Sequence, residues 1–306
     1  MDVSQLNYST VRIVSKNDQG IISRTGTGFI IKFAEETRNN QYINVPAVVT
    51  NKHVIKGAKE LVIRFHSSNL YGERINTPCE FTVSTDNFFM HPDPNVDLCA
   101  MPLAPLFMKK QKDGIKPYFY GIRMVQVPTS EQLKKFLPAE DIIVVGYPDG
   151  LWDEVNNLPI FRKGILATTP AINYEGEKEF LIDCAIYPGS SGSPVLSVKH
   201  LFHKETFEPF LSIELLGVVY ATYEHTAQGE FVIQDIPTNT NTLIPNHLGV
   251  VLNSTRTHEL NEVISEYFKD SPQEDIHNAT NKKMMIKFNN SNIHTIYANN
   301  LLYKLF

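Results

Sequence analysis

Residues Pro188-Gly189-Ser190-Ser191-Gly192-Ser193-Pro194-Val195 form a run of small residues between two apolar segments, Phe180 to Ile186 and Val195 to Val198, that read as buried strands. Glycines on both sides of a serine let the backbone turn sharply, expose the hydroxyl and aim successive amide N–H groups at one point. An acyl-transfer nucleophile with an oxyanion hole requires that geometry. Taken alone the run has a plainer meaning, a Gly/Ser turn joining two strands, and that is the commoner one. What surrounds it in the chain decides between them.

A nucleophilic serine needs a base and a group that orients the base. Upstream, Ala47-Val48-Val49-Thr50-Asn51-Lys52-His53-Val54 ends a β-branched run in a histidine, and Gly26-Thr27-Gly28-Phe29-Ile30-Ile31 precedes it as a strand with glycines at its start. Between histidine and serine, His91-Pro92-Asp93-Pro94-Asn95-Val96-Asp97-Leu98-Cys99-Ala100 is a turn-rich segment that delivers Asp97 to the head of another apolar strand.

Together TGTGFI, TNKHV, VDLCAMPL and PGSSGSPV resemble the trypsin-like serine peptidases, in particular the intracellular bacterial kind related to the HtrA proteases. Order and spacing of His53, Asp97 and Ser191 are those of the family, and the likeness covers roughly residues 8 to 253. It implies that Ser191 attacks the scissile carbonyl, that His53 takes its proton and returns it to the leaving amine, and that Asp97 holds the imidazole. The N–H groups of Gly189 and Ser191 are then the oxyanion hole. Asp93 is a local rival, but only Asp97 has the following strand that the family pattern demands. Ser190 and Ser193 are rivals to Ser191, but only Ser191 has glycines at both −2 and +1. The specificity pocket implied by the family falls on Ala185 and Ile186 at its base and on Tyr220, Ala221 and Thr222 along its wall. Ala185 cannot neutralise a Lys or Arg side chain and Thr222 narrows the entrance, so cleavage after small or medium uncharged residues is expected.

Several departures from the family carry information. Digestive members place an acidic residue just before the nucleophile to capture a newly cut N-terminus, and Ser190 stands there instead. Val54 replaces the disulfide-bonded cysteine of extracellular members. An enzyme made without a zymogen step is expected.

The resemblance implies an all-β fold of two six-stranded antiparallel β-barrels with a C-terminal helix and a short extension. Eighteen prolines, sixteen glycines and many short Val/Ile/Phe runs agree with that class. The peptidase domain is assigned to 1–253, with a first barrel over about 8–105, a connection over 106–140 and a second barrel over 141–253; helix and tail take 254–306. Strands are expected near 10–16, 20–33, 42–50, 60–66, 79–85 and 97–103, then near 141–147, 160–167, 179–186, 193–198, 213–222 and 230–234. Leu260, Val263, Ile264, Tyr267 and Phe268 follow a helical period, predicting a helix over 257–268 with Thr257 as N-cap. Residues 270–306, shorter than the PDZ domain HtrA proteases append, are expected to pack as an extension, with a strand pair, an autoinhibitory segment and a site for a regulatory protein partner as the other readings.

Three cysteines, Cys79, Cys99 and Cys184, are odd in number and lack C-x-x-C spacing, which predicts reduced, core-packed thiols and a cytoplasmic setting. No signal region or membrane-length apolar stretch is read, and a net charge of −5 gives no field suited to nucleic acid. No cofactor or metal is expected: His200 and His203 lack a third ligand, Lys109, Lys110 and Lys112 read as a solvated face, and Trp152 reads as a loop anchor. The expected partner is a protein or peptide substrate. Defence-operon peptidases that cleave one partner are a narrower analogue. A protease-fold binding module without turnover remains the alternative function.

Overall fold

The apolar runs of this chain are continuous rather than alternating, and the computed structural model shows why. Residues 26–31, 47–50, 99–102 and 194–197 are buried without a break, so these strand segments are covered on both faces. Described are residues 3–38, 40–104, 106, 114–203, 205–233, 236–269, 283–288 and 292–297, of which 38, 41, 224–233, 236–245, 283–288 and 292–297 are described as backbone only.

The first sheet contains β1 (Thr10–Lys16), β2 (Ile22–Arg38), β3 (Gln41–Thr50), β4 (Glu60–Ser68), β5 (Arg74–Val83), β6 (Phe89–Met90) and β7 (Cys99–Pro102), in the order β5-β4-β1-β2-β3-β7-β6. Two short strands from the connection join it, β8 (Lys116–Tyr118) on β4 and β9 (Ile122–Arg123), parallel, on β2. The six expected strands are therefore β1 to β5 and β7, but no ladder closes β5 onto β7 among the described residues. The reason is local: β6 occupies the free edge of β7 through Phe89↔Ala100 and Met90↔Cys99.

The second sheet is a closed barrel, β10 (Asp141–Gly146), β11 (Ile160–Leu166), β12 (Glu179–Asp183), β15 (Ile236–Asn253), β14 (Pro209–Ile233) and β13 (Pro194–Phe202) in that order. Here the strand reading needs correcting. Residues 230–234 are not a separate strand; 230–233 continue β14, and the sixth strand is β15. The polar Thr/Asn stretch 238–242 hides the short apolar run Leu248–Leu252 that pairs with β12.

Side-chain alternation explains the run of apolar residues. Val48 and Ile30 face the interior of the first sheet with Ile13, Ile63 and Phe81. Their neighbours Ala47, Val49, Phe29 and Ile31 face the other way. In the second barrel Val144, Val195, Val219 and Val251 point inward, while Val145, Leu196, Val218 and Leu252 point out to meet the first sheet's outward set. Each such Val, Leu, Ile or Phe contributes about 1.5–3 kcal/mol on burial, and the outward sets of the two sheets meet in one apolar seam.

One long helix, Ser254–Lys269, adds Leu260 and Ile264 to that seam. It begins earlier than its period suggested, and the cap is not Thr257. Asn253 Oδ1 accepts the Thr255 N–H at 2.9 Å, and Ser254 Oγ donates to the Pro128 carbonyl at 2.8 Å. Thr257 is buried inside the first turns. Beyond it, β16 (Lys283–Phe288) and β17 (Asn292–Tyr297) pair antiparallel; the rest of 270–306, and Lys109, Lys110 and Lys112, lie outside the described residues. Among the described residues, no helix is long and apolar enough to cross a membrane.

Candidate active site

Register brings the first two candidates together. β3 and β7 are antiparallel with Thr50 opposite Cys99, so the chain leaving β3 and the chain entering β7 emerge side by side. A single helical turn, α1 (Lys52–Ile55), follows Thr50 and carries His53. Asp97 sits two residues before β7. The His53 N–H donates to Asp97 Oδ1 at 2.9 Å, and the ring Nδ1–H donates to Asp97 Oδ2. With Nδ1 protonated, Nε2 keeps its lone pair. Burial works to raise the Asp97 carboxyl, but the hydrogen bonds from the His53 ring and from the N–H groups of His53 and Lys52 outweigh it and hold it below its ordinary value of 3.8.

The neighbours of this pair are anchored in turn. Asn51 Nδ2 donates to the Asp97 carbonyl at 2.7 Å. Lys52 Nζ spans the turn before Asp97, reaching the carbonyls of His91, Asp93 and Pro94 at 3.4, 3.0 and 3.3 Å. His91 accepts the Asp93 N–H on Nδ1 at 3.1 Å, and its Nε2 lies 3.0 Å from Glu259 on the long helix. Asp93 itself binds the Asn95 N–H at 2.9 Å, a turn contact rather than one to His53.

Ser191 sits at the turn into β13. Gly192 donates to Val219 O at 2.8 Å and Val219 donates back to Ser193 O at 2.9 Å, so the β13–β14 ladder runs right up to the serine. Gly192 has φ +86°, and a Cβ there would lie 2.0 Å from the Thr27 carbonyl. Gly189 has φ +84°, and its Cβ would lie 2.5 Å from the Tyr147 carbonyl. Only glycine fits either position.

Thr27, passed over as a candidate in the sequence, is the link between the halves. Its N–H donates to Ser191 O at 2.9 Å and its hydroxyl donates to Gly189 O at 3.0 Å while accepting the Tyr147 N–H at 3.0 Å. Its carbonyl accepts Thr50 Oγ1 at 2.8 Å, three residues before His53. The signal was its place between two glycines in TGTGFI.

The turn also separates satisfied from open donors. The N–H groups of Ser190, Gly192 and Ser193 all donate to backbone carbonyls. Among the described residues, those of Gly189 and Ser191 donate to nothing, and Ser191 Oγ makes no hydrogen bond. Ser191 thus carries both an open hydroxyl and an open N–H, with a second open N–H two residues earlier at Gly189.

A family model described as trypsin-like peptidase domain matches residues 26–200, more than half of the chain and the span holding His53, Asp97 and Ser191. The chain belongs to the trypsin-like peptidase family. Solved structures similar to it include a variant of the HtrA-type protease AlgW with tripeptide, at 14% identity and a TM-score of 0.45, covering 86% of this chain and 62% of that one. Another is the Rv3671c protease from M. tuberculosis in its active form, at 17% identity and a TM-score of 0.42, covering 84% and 80%. The chain thus spans less than two thirds of the AlgW structure. A comparison with curated proteins finds no match.

For a trypsin-like peptidase the remaining candidates lie as follows. Ile186 is 3% exposed and packs where Gly249 leaves room, a Cβ there falling 2.8 Å from it. Thr222 Oγ1 donates to the Leu248 carbonyl at 3.1 Å, tying β14 to β15. Tyr220 OH donates to Glu179 at 2.7 Å, and Ala221 stands opposite Val250. Ala185 is half-buried and offers its carbonyl to Arg162. Cys79, Cys99 and Cys184 are free and buried; Trp152 lies under the Arg12 guanidinium, 4.1 Å from its ring centroid.

Proposed function

We propose that the protein is a serine endopeptidase that hydrolyses peptide bonds of protein or peptide substrates through an acyl-enzyme. Ser191 is the nucleophile, His53 Nε2 its base and then the acid to the leaving amine, and Asp97 the group that fixes the imidazole tautomer and stabilises its charged form. The N–H groups of Gly189 and Ser191 receive the oxyanion, each such donor being worth about 10²- to 10³-fold in rate. The observation that carries this reading is the chain of hydrogen bonds Thr50–Thr27–Ser191, which seats the nucleophile turn against the strand that ends in the Asp97-bound His53. An open Ser191 hydroxyl is compatible with it, because nucleophile–base bonds commonly tighten only with substrate bound.

For the pocket we propose Ala185, Ile186, Tyr220, Ala221 and Thr222, and cleavage after small or medium uncharged residues. Ala185 and Ile186 at the base carry no charge, and the charge that reaches the Ala185 carbonyl, that of Arg162, is positive. Activity without a zymogen cleavage belongs to the same proposal.

Labelling of the full chain by a fluorophosphonate probe, lost in Ser191→Ala and His53→Ala, is the direct test. Each single change should remove nearly all hydrolysis, on the order of 10⁶-fold, and the double change should add little. A folded wild-type protein that neither labels nor cleaves a peptide library would instead mark a binding module. A dominant Lys or Arg preference at the cut site would refute the pocket.

A further inference from the structure

Arg162 occupies a place that folding alone does not explain. It lies on β11 two residues before Gly164 and so shares that residue's face of the strand. Gly164 brings this face close to the segment after β12: a Cβ there would sit 2.4 Å from the Asp183 carbonyl and 2.6 Å from Cys184 Cβ. The Arg162 side chain runs along the same gap into the nucleophile loop. Its Nη1 donates to the Ala185 carbonyl, and its Nη2 donates to Ser190 Oγ at 2.7 Å. Ser190 is 0% exposed, stands immediately before the nucleophile, and on the same oxygen accepts the Tyr187 N–H at 3.3 Å.

Desolvation by burial draws the guanidinium down from its ordinary pKa, with only partial compensation from Cys184, Tyr187 and Asp149. Among the described residues no carboxylate pairs with Arg162, and its Nε is buried without a partner. A cation placed this way is a costly means of filling space, and an apolar side chain of similar size would serve stability as well or better. What the cation supplies is a planar fork with two donors at fixed spacing.

Building on the serine-peptidase reading above, we propose that Arg162 is a positioning residue for the oxyanion loop. Its fork ties Ala185, at the start of the loop, to Ser190, at its end, and so keeps the open N–H groups of Gly189 and Ser191 in register. Because the cation belongs to β11, the loop is held without a newly freed N-terminal amine.

The test reads fluorophosphonate labelling and peptide turnover of the full chain in parallel. Arg162→Ala should lower kcat and the labelling rate about 10²-fold, comparable to losing one oxyanion donor, with KM within about threefold, and millimolar methylguanidinium should restore several-fold of the loss. The Arg162→Ala/Ser190→Ala double variant should lose less than the two single losses combined, since the Arg162–Ser190 contact is already gone in Arg162→Ala and only the Tyr187 N–H bond to Ser190 is lost anew. Labelling of Arg162→Ala at the wild-type rate overturns the inference and leaves the peptidase reading intact, whereas a wild-type protein that fails to label overturns both. A loss of kcat that tracks a fallen melting temperature, without guanidinium rescue, also overturns it. Should Arg162→Ala not fold, Arg162→Lys decides: about a tenfold loss of kcat at an unchanged melting temperature supports a role for the two-donor fork, and wild-type kcat refutes it.

Discussion

His53 and Asp97 are held by polar and charged side chains, whereas Ser191 is held mainly by backbone groups and by glycines too close to their neighbours to accept a methyl. On the first side stand Lys52 on its three carbonyls, Asn51 on Asp97, and His91 beside Glu259. On the second, Thr27 grips Ser191 and Gly189, Asp149 N–H reaches Pro188 O, and Gly192 lies against Thr27; among the described residues Arg162 is the one cation that hydrogen-bonds to that loop. The difference has a chemical sense. A base must be tuned by its surroundings, while an oxyanion hole must not move as charge develops. The acid–base half should therefore respond to charge and pH, and the nucleophile half to added volume.

Asp97→Asn tests the first half with the largest expected effect. The amide can donate to Nδ1 and so favours the tautomer whose Nε2 carries the proton, which removes the base; kcat should fall about 10⁴-fold at neutral pH. Measured turnover within tenfold of wild type would remove Asp97 from the mechanism and with it the electrostatic description of this half.

Gly192→Ala probes the other half. Its Cβ would lie 2.0 Å from the Thr27 carbonyl at a positive φ, with Thr50 Oγ1 also within 2.6 Å, so the turn or the inter-sheet link must yield. A loss of about 3–5 kcal/mol in urea unfolding is expected, as for other substitutions at strained backbone positions. Lys52→Met, which deletes charge without adding volume, should cost about 1 kcal/mol, the scale of a modest hydrogen-bond loss. Equal costs for the two variants would erase the contrast.

Acid should loosen the first sheet before the second. His66, 6% exposed on β4, has its pKa pushed from 6.5 to about 4, first by burial and then by the charges of Arg74 and Arg64, with the Asn157 backbone opposing. The Tyr8 ring sits edge-on to it at 4.8 Å. The unfolded chain binds this proton near pH 6.5 and the folded chain only near 4, so stability is complete above 6.5 and falls as pH drops through that window, by roughly 3 kcal/mol. Asp97, whose pKa is depressed, adds its loss only below the ordinary carboxylate value. His66→Gln should flatten the acid limb between pH 6.5 and 4, and hydrogen exchange at pH 4.5 should show β1 and β4 opening before β10 and β13. Simultaneous opening would mean the seam, not His66, sets acid stability.

Legibility in the sequence follows the same division. Local patterns were readable: Gly189 and Gly192 announce the tight turn by type and neighbours, and His53 and Asp97 stand at the strand ends that the β3–β7 register brings side by side. Contacts between distant segments were not. Thr27 is one threonine in a strand until its partners at 147, 189 and 191 are known, and Arg162 reads as a surface cation until Gly164 brings β11 against the loop. β15 was missed because its barrel-forming residues follow a polar stretch, and the helix start moved because Asn253 and Ser254 find tertiary partners that a helical period does not encode.

The smallest effect is expected from the C-terminal extension. The apolar seam draws on Leu260 and Ile264 of the long helix, and Glu259 of that helix sits beside His91 in the turn before Asp97, so the helix up to Lys269 supplies, among the described residues, the C-terminal support that reaches the candidate site. Deleting residues 270–306 should leave the melting temperature within about 2 °C, since a shift of that size corresponds to less than roughly 1 kcal/mol in a chain of this length. Hydrolysis of a short peptide should likewise be unchanged. Cleavage of a protein substrate is the readout that should move, because a regulatory or partner-docking segment acts on access rather than on the chemistry. A truncated chain that melts well below the full chain, or that loses peptide turnover with it, would show the extension to be part of the support for the acid–base half and would place the boundary of that half beyond the helix.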